Sequence, residues 1–159
     1  MQTLDIFKLA LQNEVRASTF YAKASEITEN DESRMLFLEL THMEEDHARR
    51  LVERSRRMDL GEALDAQAYL QSLQEDAART LGVEETGLIK SGDMRSVVEF
   101  SIGLEATARD NYRALAASVN DTDDRAFCES LAAEEQKHYD LLSKLRLDMD
   151  MDMEERPML

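Results

Sequence analysis

The sequence predicts an all-α fold, an antiparallel four-helix bundle in which a long crossover joins the second and third bundle helices. Turn-forming residues are scarce, because the 159 residues include only five glycines and one proline, and that proline is Pro157. Leu, Ala, Glu and Arg, which favour helices, are abundant. Apolar residues recur at alternating steps of three and four, which is the spacing of one helix face, and no convincing alternation of β-branched residues predicts a strand.

The first two helices are predicted to form a hairpin. The first covers residues 3–28 and the second residues 32–58, with a polar break at Asn30 and Asp31 that also caps the second helix. Because this break is short, we expect the two helices to pack antiparallel. Their inward-facing seam consists of Leu4, Phe7, Leu11, Glu14, Ser18, Tyr21, Ser25 and Thr28, followed by Phe37, Leu40, Glu44, His47 and Leu51.

The segment 59–92 is predicted to be the crossover, since four of the five glycines interrupt it. Within it we expect one shorter helix over residues 62–80, with Leu64, Tyr69 and Leu73 on its apolar face. This connection carries the chain back along the bundle to the start of the second hairpin.

The second hairpin is predicted to start after Asp93, a plausible helix cap, with its first helix ending near Val119. A polar turn at 120–124 precedes the last helix, which covers residues 125–147. The tail, residues 148–159, is acidic and rich in methionine, and we expect it to be frayed or disordered. The chain length suits one compact domain, which these boundaries place at residues 1–147.

The second half of the chain repeats the first at an offset of 91 residues. Each half has a glutamate, a tyrosine seven residues later, and a Glu-x-x-His motif that starts thirty residues after the first glutamate. The related pairs are Glu14 and Glu105, Tyr21 and Tyr112, Glu44 and Glu135, His47 and His138, Arg34 and Arg125, Leu40 and Leu131, and Leu51 and Leu142. Any two amphipathic hairpins share leucines, but shared glutamates and histidines are rarer, so we interpret the repeat as two similar hairpins about a pseudo-twofold axis.

The repeated glutamates and histidines occupy seam positions, where they are expected to be buried. Leu11 precedes Glu14 by one turn, and Leu40 and Leu51 flank the first Glu-x-x-His motif. A helix places residues i and i+3 on one face, so both side chains of each motif point inward. Four buried carboxylates repel one another, and desolvation of each one without a partner costs several kcal/mol.

The seam offers little positive charge to balance these acids, since Arg109 is its one candidate cation. Two divalent cations would neutralise the four negative charges. Imidazole and carboxylate together form a ligand set that suits iron or manganese. A lone glutamate or a lone Glu-x-x-His is a weak signal, but the repeated set is specific. The sequence therefore predicts a two-metal site formed by Glu14, Glu44, His47, Glu105, Glu135 and His138.

Glu134 competes with Glu135 as a ligand, because it also shares a helix face with His138. The repeat favours Glu135, since Glu134 corresponds to Met43. Whether Glu134, Glu45 or Glu99 takes part at the site stays open at this point.

The bulk composition narrows the classes of function. The formal charge of −15 argues against nucleic-acid binding, which needs a basic face. The acidic surface could attract cations, although solubility explains it as well.

No apolar segment is long enough to span a bilayer and no signal peptide is evident, so we expect no membrane partner and a cytoplasmic location. Cys128 is the single cysteine, which excludes an intrachain disulfide or four-cysteine centre within these residues.

With these residues the chain resembles the ferritin-like superfamily, and within it the rubrerythrin-like di-iron carboxylate proteins, over residues 3–147. The resemblance implies a ferritin-like antiparallel four-helix bundle that holds two iron ions, with manganese or zinc as substitutes. It implies that Glu44 and Glu135 bridge both metals, and that Glu14, Glu105 and the two histidines each bind one. Tyr21 and Tyr112 match the tyrosines that lie behind the ligands in such sites, although core packing explains them as well.

The chain also departs from its relatives. Full-length rubrerythrins carry a rubredoxin-like centre with four cysteines, which the one cysteine here cannot form. Some rubrerythrins have a further glutamate one turn past the third-helix ligand, where this chain has Ala108. Peroxidase chemistry that depends on that carboxylate is therefore not carried over.

The leading hypothesis is a non-haem di-iron oxidoreductase of the peroxidase or ferroxidase type. It would oxidise ferrous iron with peroxide or dioxygen and take electrons from an external donor. The alternatives are a ferritin-type iron-storage subunit and a metal-free helical interaction module. We expect a homodimer, with Ile6, Leu9, Phe20 and Leu38 as candidate residues for its surface because they lie off the seam.

Overall fold

The computed structural model describes residues 2–79 and 82–155 of the chain. Within these ranges it has six helices and no strand: α1 (Thr3–Ile27), α2 (Asp31–Ser55), α3 (Ala66–Arg79), α4 (Val83–Ser91), α5 (Met94–Ser118) and α6 (Thr122–Glu155). Helices α1, α2, α5 and α6 form the bundle, in which α1 packs against α2, α5 against α6, and α1 against α5. The predicted four-helix bundle with a long crossover is confirmed. None of the helices in the described ranges is long and apolar enough to cross a membrane.

The two hairpins close in the same way, which gives the sequence repeat a structural meaning. Arg34 donates hydrogen bonds of 3.2 and 3.3 Å to the carbonyl oxygen of Thr28, just beyond the end of α1. Arg125 donates one of 3.3 Å to the carbonyl oxygen of Val119, just beyond the end of α5. Both the arginines and the carbonyls are related by the offset of 91 residues. Each arginine thus satisfies a backbone acceptor that the preceding helix leaves open.

The interior of the bundle is divided into two apolar clusters, and the repeated acids lie between them. In α1, Leu11 belongs to one cluster and Phe20 to the other, and Glu14 lies between them. In α2 the Glu-x-x-His motif lies between Leu40 of one cluster and Leu51 of the other. Burial of each large apolar side chain stabilises the fold by about 1.5–3 kcal/mol, so these clusters hold the acids in place from both sides.

The crossover differs from the prediction of one helix over residues 62–80. It contains two helices, α3 and α4, both of which pack against α1. The first begins only at Ala66, and residue 80 lies outside the described residues. The second was not predicted, because Gly87 suggested a break where the structure has a helix. Gly92 follows the last residue of α4, and its φ of 64° is the left-handed conformation that glycine adopts without strain.

The packing of the crossover overturns part of the predicted dimer surface. Ile6 and Phe20 are buried within the chain, with relative exposures of 8% and 0%. Ile6 belongs to the same apolar cluster as Leu60 and Leu70, which come from the crossover. Their burial follows from the route of the crossover over α1, which the seam pattern of α1 alone does not reveal. Leu9 and Leu38 are exposed, at 39% and 37%.

The predicted disorder of the tail is wrong for residues 148–155, because α6 continues to Glu155. Met149 packs against the apolar cluster that contains Leu142. Asp150 lies 2.9 Å from the guanidinium of Arg95 on α5. These contacts tie the extension to the bundle, and no glycine or proline interrupts it before Pro157. Residues 156–159 lie outside the described residues.

Candidate metal centre

The four bundle helices bring all six predicted ligand residues together at the level between the two apolar clusters. Each helix contributes inward-facing side chains from the seam, as the spacing of the sequence requires. Their relative exposures are 1% or less, so none of them faces solvent. The six residues are Glu14 on α1, Glu44 and His47 on α2, Glu105 on α5, and Glu135 and His138 on α6.

These side chains form two overlapping groups, each able to hold one metal ion. The first group is Glu14, Glu44, His47 and Glu135, and the second is Glu44, Glu105, Glu135 and His138. In each group, one potential ligand atom from every residue lies within 4.8 Å of the others. Glu44 and Glu135 belong to both groups, so their carboxylates lie between the two positions. The role of these residues as metal ligands stays a prediction.

Each histidine turns its Nδ1 atom toward the carboxylates. His47 Nδ1 lies 2.7 Å from Glu135, 3.3 Å from Glu44 and 3.7 Å from Glu14. His138 Nδ1 lies 3.2 Å from Glu44, 3.3 Å from Glu135 and 3.5 Å from Glu105. The two imidazole rings are stacked, with centroids 5.8 Å apart. The Nδ1 contacts of one histidine thus reproduce those of the other under the repeat.

The two predicted tyrosines lie behind the carboxylates and also obey the repeat. Tyr21 on α1 donates a hydrogen bond of 2.6 Å to Oε1 of Glu105 on α5. Tyr112 on α5 donates one of 2.5 Å to Oε1 of Glu14 on α1. Both phenols are fully buried, so each tyrosine orients one carboxylate from the other hairpin.

The rubrerythrin family model matches residues 5–146, which is nearly the whole chain. The chain belongs to the rubrerythrin family. No significant match was found among curated proteins or among solved structures. The family assignment confirms the resemblance inferred from the repeated ligand residues, and it is compatible with a di-iron centre in this chain.

Several polar atoms of this rubrerythrin family member are buried without a hydrogen-bond partner among the described residues. Those at the centre are Oε2 of Glu14, Glu44, Glu105 and Glu135, together with Nε2 of His138. An unsatisfied buried polar atom costs about 1–3 kcal/mol, and more when the group is charged. Cations among the carboxylates would satisfy the four Oε2 atoms, so the donor set fits a metal centre. Nε2 of His138 would stay without a partner, because this ring turns Nδ1 toward the carboxylates.

The carboxyl groups are electrostatically strained without metal. Burial, together with the neighbouring Glu44, raises the pKa of Glu14 well above its ordinary value. Burial and the nearby Glu14 raise the pKa of Glu135 to about 8, and burial beside Glu135 also raises the pKa of Glu44. Burial opposes ionisation of Glu105 as well, but hydrogen bonds from Glu135, His138 and Tyr21 lower its pKa to about 2. The cluster therefore retains protons near neutral pH.

The negative charge of the carboxylates also raises the pKa values of the two histidines. Burial alone would lower the pKa of His138, but hydrogen bonds to Glu105, Glu135 and Glu44 raise it to about 12. Contacts with the carboxylates likewise raise the pKa of His47 above its ordinary value. In the metal-free protein the two imidazolium groups thus offset part of the negative charge that metal ions would balance.

The structure shows which of the three further acids, whose part in the site the sequence left open, lies near the centre. Glu45 and Glu99 lie at the surface, with side-chain exposures of 58% and 44%. Glu134 contacts the centre from outside, because its Oε2 lies 2.6 Å from Nε2 of His47. It does not replace Glu135, which is buried and faces both histidines. Ala108, where some relatives have glutamate, is buried at 3% exposure.

A groove between α2 and α6 reaches the outer side of the centre. Its volume is about 880 Å³, and its lining includes His47 and Glu134. Most of the remaining wall is apolar, with Met35, Leu38 and Leu141 among the lining residues.

The sequence analysis missed one interaction at the centre, the contact of Arg50 with Glu134. Arg50 Nη1 lies 3.1 and 3.3 Å from the two carboxylate oxygens of Glu134. Glu134 lies next to the second Glu-x-x-His motif in the sequence, and this position suggested only a competing ligand. Its actual partner, His47, lies in the other hairpin, and helix periodicity within α6 does not report that pairing.

Proposed function

We propose that this protein is a non-haem di-iron oxidoreductase that oxidises ferrous iron and reduces peroxide or dioxygen. The observation that carries the proposal is the pair of overlapping, fully buried ligand groups that share Glu44 and Glu135. Two adjacent positions with common carboxylates suit a pair of metal ions better than a single ion. Membership of the rubrerythrin family supports the same conclusion.

The ligand chemistry favours iron, with manganese and zinc as alternatives. Carboxylate oxygens and imidazole nitrogens form the donor set, and no thiolate lies among the two ligand groups. When bound, two iron ions supply two electrons together, as the reduction of peroxide to water requires.

The chain's own residues would bind, orient and shield the metal ions. Tyr21 and Tyr112 hold Glu105 and Glu14 by hydrogen bonds, which restricts the rotation of these carboxylates. The apolar clusters on either side exclude water from the acids, and a low local dielectric strengthens their interaction with cations. Each imidazole presents Nδ1 to the carboxylates that surround it.

We propose that the electrons for a complete catalytic cycle come from an external donor. Residues 1–159 contain one cysteine, Cys128, which is buried. A four-cysteine iron centre of the rubredoxin type therefore cannot form within these residues.

The decisive experiment measures metal content and the absorption spectrum after addition of ferrous iron and then peroxide. We expect two iron ions per chain and spectral changes on peroxide addition. Glu44→Ala and Glu135→Ala should each prevent paired binding, because each removes a carboxylate that both groups share. Glu45→Ala is the matched control, since Glu45 follows Glu44 but lies at the surface. Two irons and the wild-type spectral response to peroxide in either shared-carboxylate variant would show that the assignment is wrong.

We also propose that the protein functions as a homodimer. Leu9 and Leu38 remain exposed as candidates for its surface, whereas Ile6 and Phe20 no longer are. Light scattering before and after iron loading tests this proposal. A dimer is the expected result, and a large iron-filled shell would instead favour the storage function.

A further inference from the structure

We propose that Glu134 and Arg50 form a positioning pair that makes the two metal positions unequal, with tighter binding on the His47 side. This inference rests on the proposed metal centre and adds a difference between its two halves. The pair lies outside both ligand groups, so Glu134 acts through the imidazole and not as a ligand.

The contacts of His47 determine which of its ring nitrogens can bind a metal ion. Its Nε2 lies 2.6 Å from Glu134, whereas its Nδ1 faces Glu14, Glu44 and Glu135. A carboxylate only accepts hydrogen bonds, so Nε2 donates its proton to Glu134. Nδ1 is then the nitrogen that loses its proton and binds when a cation enters, and the ring is held in the orientation that binding needs.

Arg50 holds Glu134 in this place. Its guanidinium contacts both carboxylate oxygens, at 3.1 and 3.3 Å. The side chain of Glu134 is 34% exposed, so without a partner it could turn toward the groove and leave His47. The line of contacts from Arg50 through Glu134 to His47 therefore spans from the surface to the buried centre.

The other half of the protein has no such pair at the equivalent place. The offset of 91 residues that relates all six ligand residues relates Glu134 to Met43 and Arg50 to Leu141. Nε2 of His138 is buried and has no hydrogen-bond partner among the described residues. Met43 and Leu141 line a cavity of about 440 Å³ together with His138. Charged residues, Glu39, Asp46, Arg50, Glu134 and Lys137, line it as well, but among the described residues none hydrogen-bonds Nε2 of His138. Apolar side chains thus take the place of the carboxylate and the guanidinium.

This difference should separate the affinities of the two positions. A carboxylate behind a metal-binding histidine fixes its orientation and increases its basicity, and the loss of such a partner lowers metal affinity about 10–100-fold. Both positions share Glu44 and Glu135, and each has its own tyrosine-held glutamate. Among these hydrogen bonds, the difference that remains is the partner of the histidine Nε2, so we expect the His47 side to be occupied first.

Titration of the metal-free protein with cobalt(II), followed by absorption and calorimetry, tests the inference. Wild-type protein should bind two ions in steps separated about 10–100-fold. Glu134→Gln and Glu134→Met should weaken the tighter step and bring the two steps together. Both substitutions are at a partly exposed position, so they should not disturb folding. Glu45→Gln, at an exposed neighbour of Glu44, is the control and should leave both steps unchanged.

The reverse substitution distinguishes positioning from a general structural role. Met43→Glu, alone and with Leu141→Arg, should give His138 the partner that His47 has and tighten the weaker step. Two equal steps in wild-type protein, or equal weakening of both steps by Glu134→Gln, would overturn this inference alone. A wild-type protein that binds no cobalt would overturn the proposed function together with it.

Discussion

Tyr112 donates a hydrogen bond of 2.5 Å to the buried carboxylate of Glu14, and Tyr21 donates one of 2.6 Å to that of Glu105. Removal of one hydroxyl leaves a buried carboxylate oxygen without its donor, which costs about 1–3 kcal/mol. We therefore expect Tyr112→Phe and Tyr21→Phe each to lower the free energy of unfolding of the metal-free protein by about this amount. Urea denaturation, monitored by circular dichroism, measures it.

A third tyrosine provides the control for this experiment. Tyr69 accepts a hydrogen bond of 2.7 Å from Gln12, but at an exposed position where water can replace it. Tyr69→Phe should therefore change the free energy of unfolding by less than about 0.5 kcal/mol. If Tyr112→Phe were as stable as wild-type protein, the phenol would not be holding the Glu14 carboxylate.

The six ligand residues could be predicted because a buried charged residue interrupts the apolar pattern of its helix, and the sequence shows this interruption. Glu14 stands where the seam requires an apolar residue, and the repeat places Glu105 in the same setting. The pairing of Glu134 with His47 could not be predicted in the same way. It joins two helices from different hairpins, and it depends on the rotation of each helix about its axis.

At the scale of helices, an ion pair joins α4 of the crossover to α1 of the bundle. Arg16 on α1 lies 2.5 Å from Glu85 on α4, and the side chain of Glu85 is only 5% exposed. Arg16→Ala would leave this carboxylate unpaired, at a cost of about 1–3 kcal/mol unless α4 moves to expose it. We expect faster amide hydrogen exchange in α4 with little change in α2 or α6, measured by mass spectrometry.

A second ion pair on the same helix supplies the comparison. Lys23 and Glu26 lie 3.6 Å apart on the surface of α1, with side-chain exposures of 50% and 64%. Exposed pairs of this kind contribute about 0.5 kcal/mol or less, so Lys23→Ala should leave the exchange of α4 unchanged. Equal exchange in Arg16→Ala and Lys23→Ala would mean that apolar contacts alone hold α4.

The helices differ in how well the sequence predicts them, for a physical reason. The bundle helices carry their apolar pattern over about seven turns, and short polar turns separate them within each hairpin. Helix α4 has only nine residues, and its internal glycine predicts a break instead of a helix. The extension of α6 alternates aspartate with methionine, and it is stabilised by contacts such as that of Asp150 with Arg95. Such contacts between distant segments are not visible in a local pattern.

For the molecule as a whole, the buried acids make the metal-free protein less stable as the pH rises. Burial raises the pKa of Glu135 from 4.5 to about 8, so the stability it contributes is full below pH 4.5 and is lost as the pH rises through 8. The raised pKa of His138, about 12 against 6.5, has the same sign over a higher range. Glu105, with its pKa lowered to about 2, acts in the opposite sense, but only below pH 4.5.

Metal binding should reverse this loss, because a cation requires the deprotonated carboxylates and imidazoles that a high pH supplies. We therefore expect the rise in melting temperature on addition of manganese(II) to be larger at about pH 8 than at about pH 5. Differential scanning calorimetry with and without the metal measures this difference, and calorimetric titration in buffers of unlike ionisation enthalpy should detect released protons. Glu45→Ala should behave as wild type, since its carboxylate is exposed. An equal rise at both pH values would mean that manganese binds without displacing the protons of Glu135 and His138, and therefore outside the buried centre.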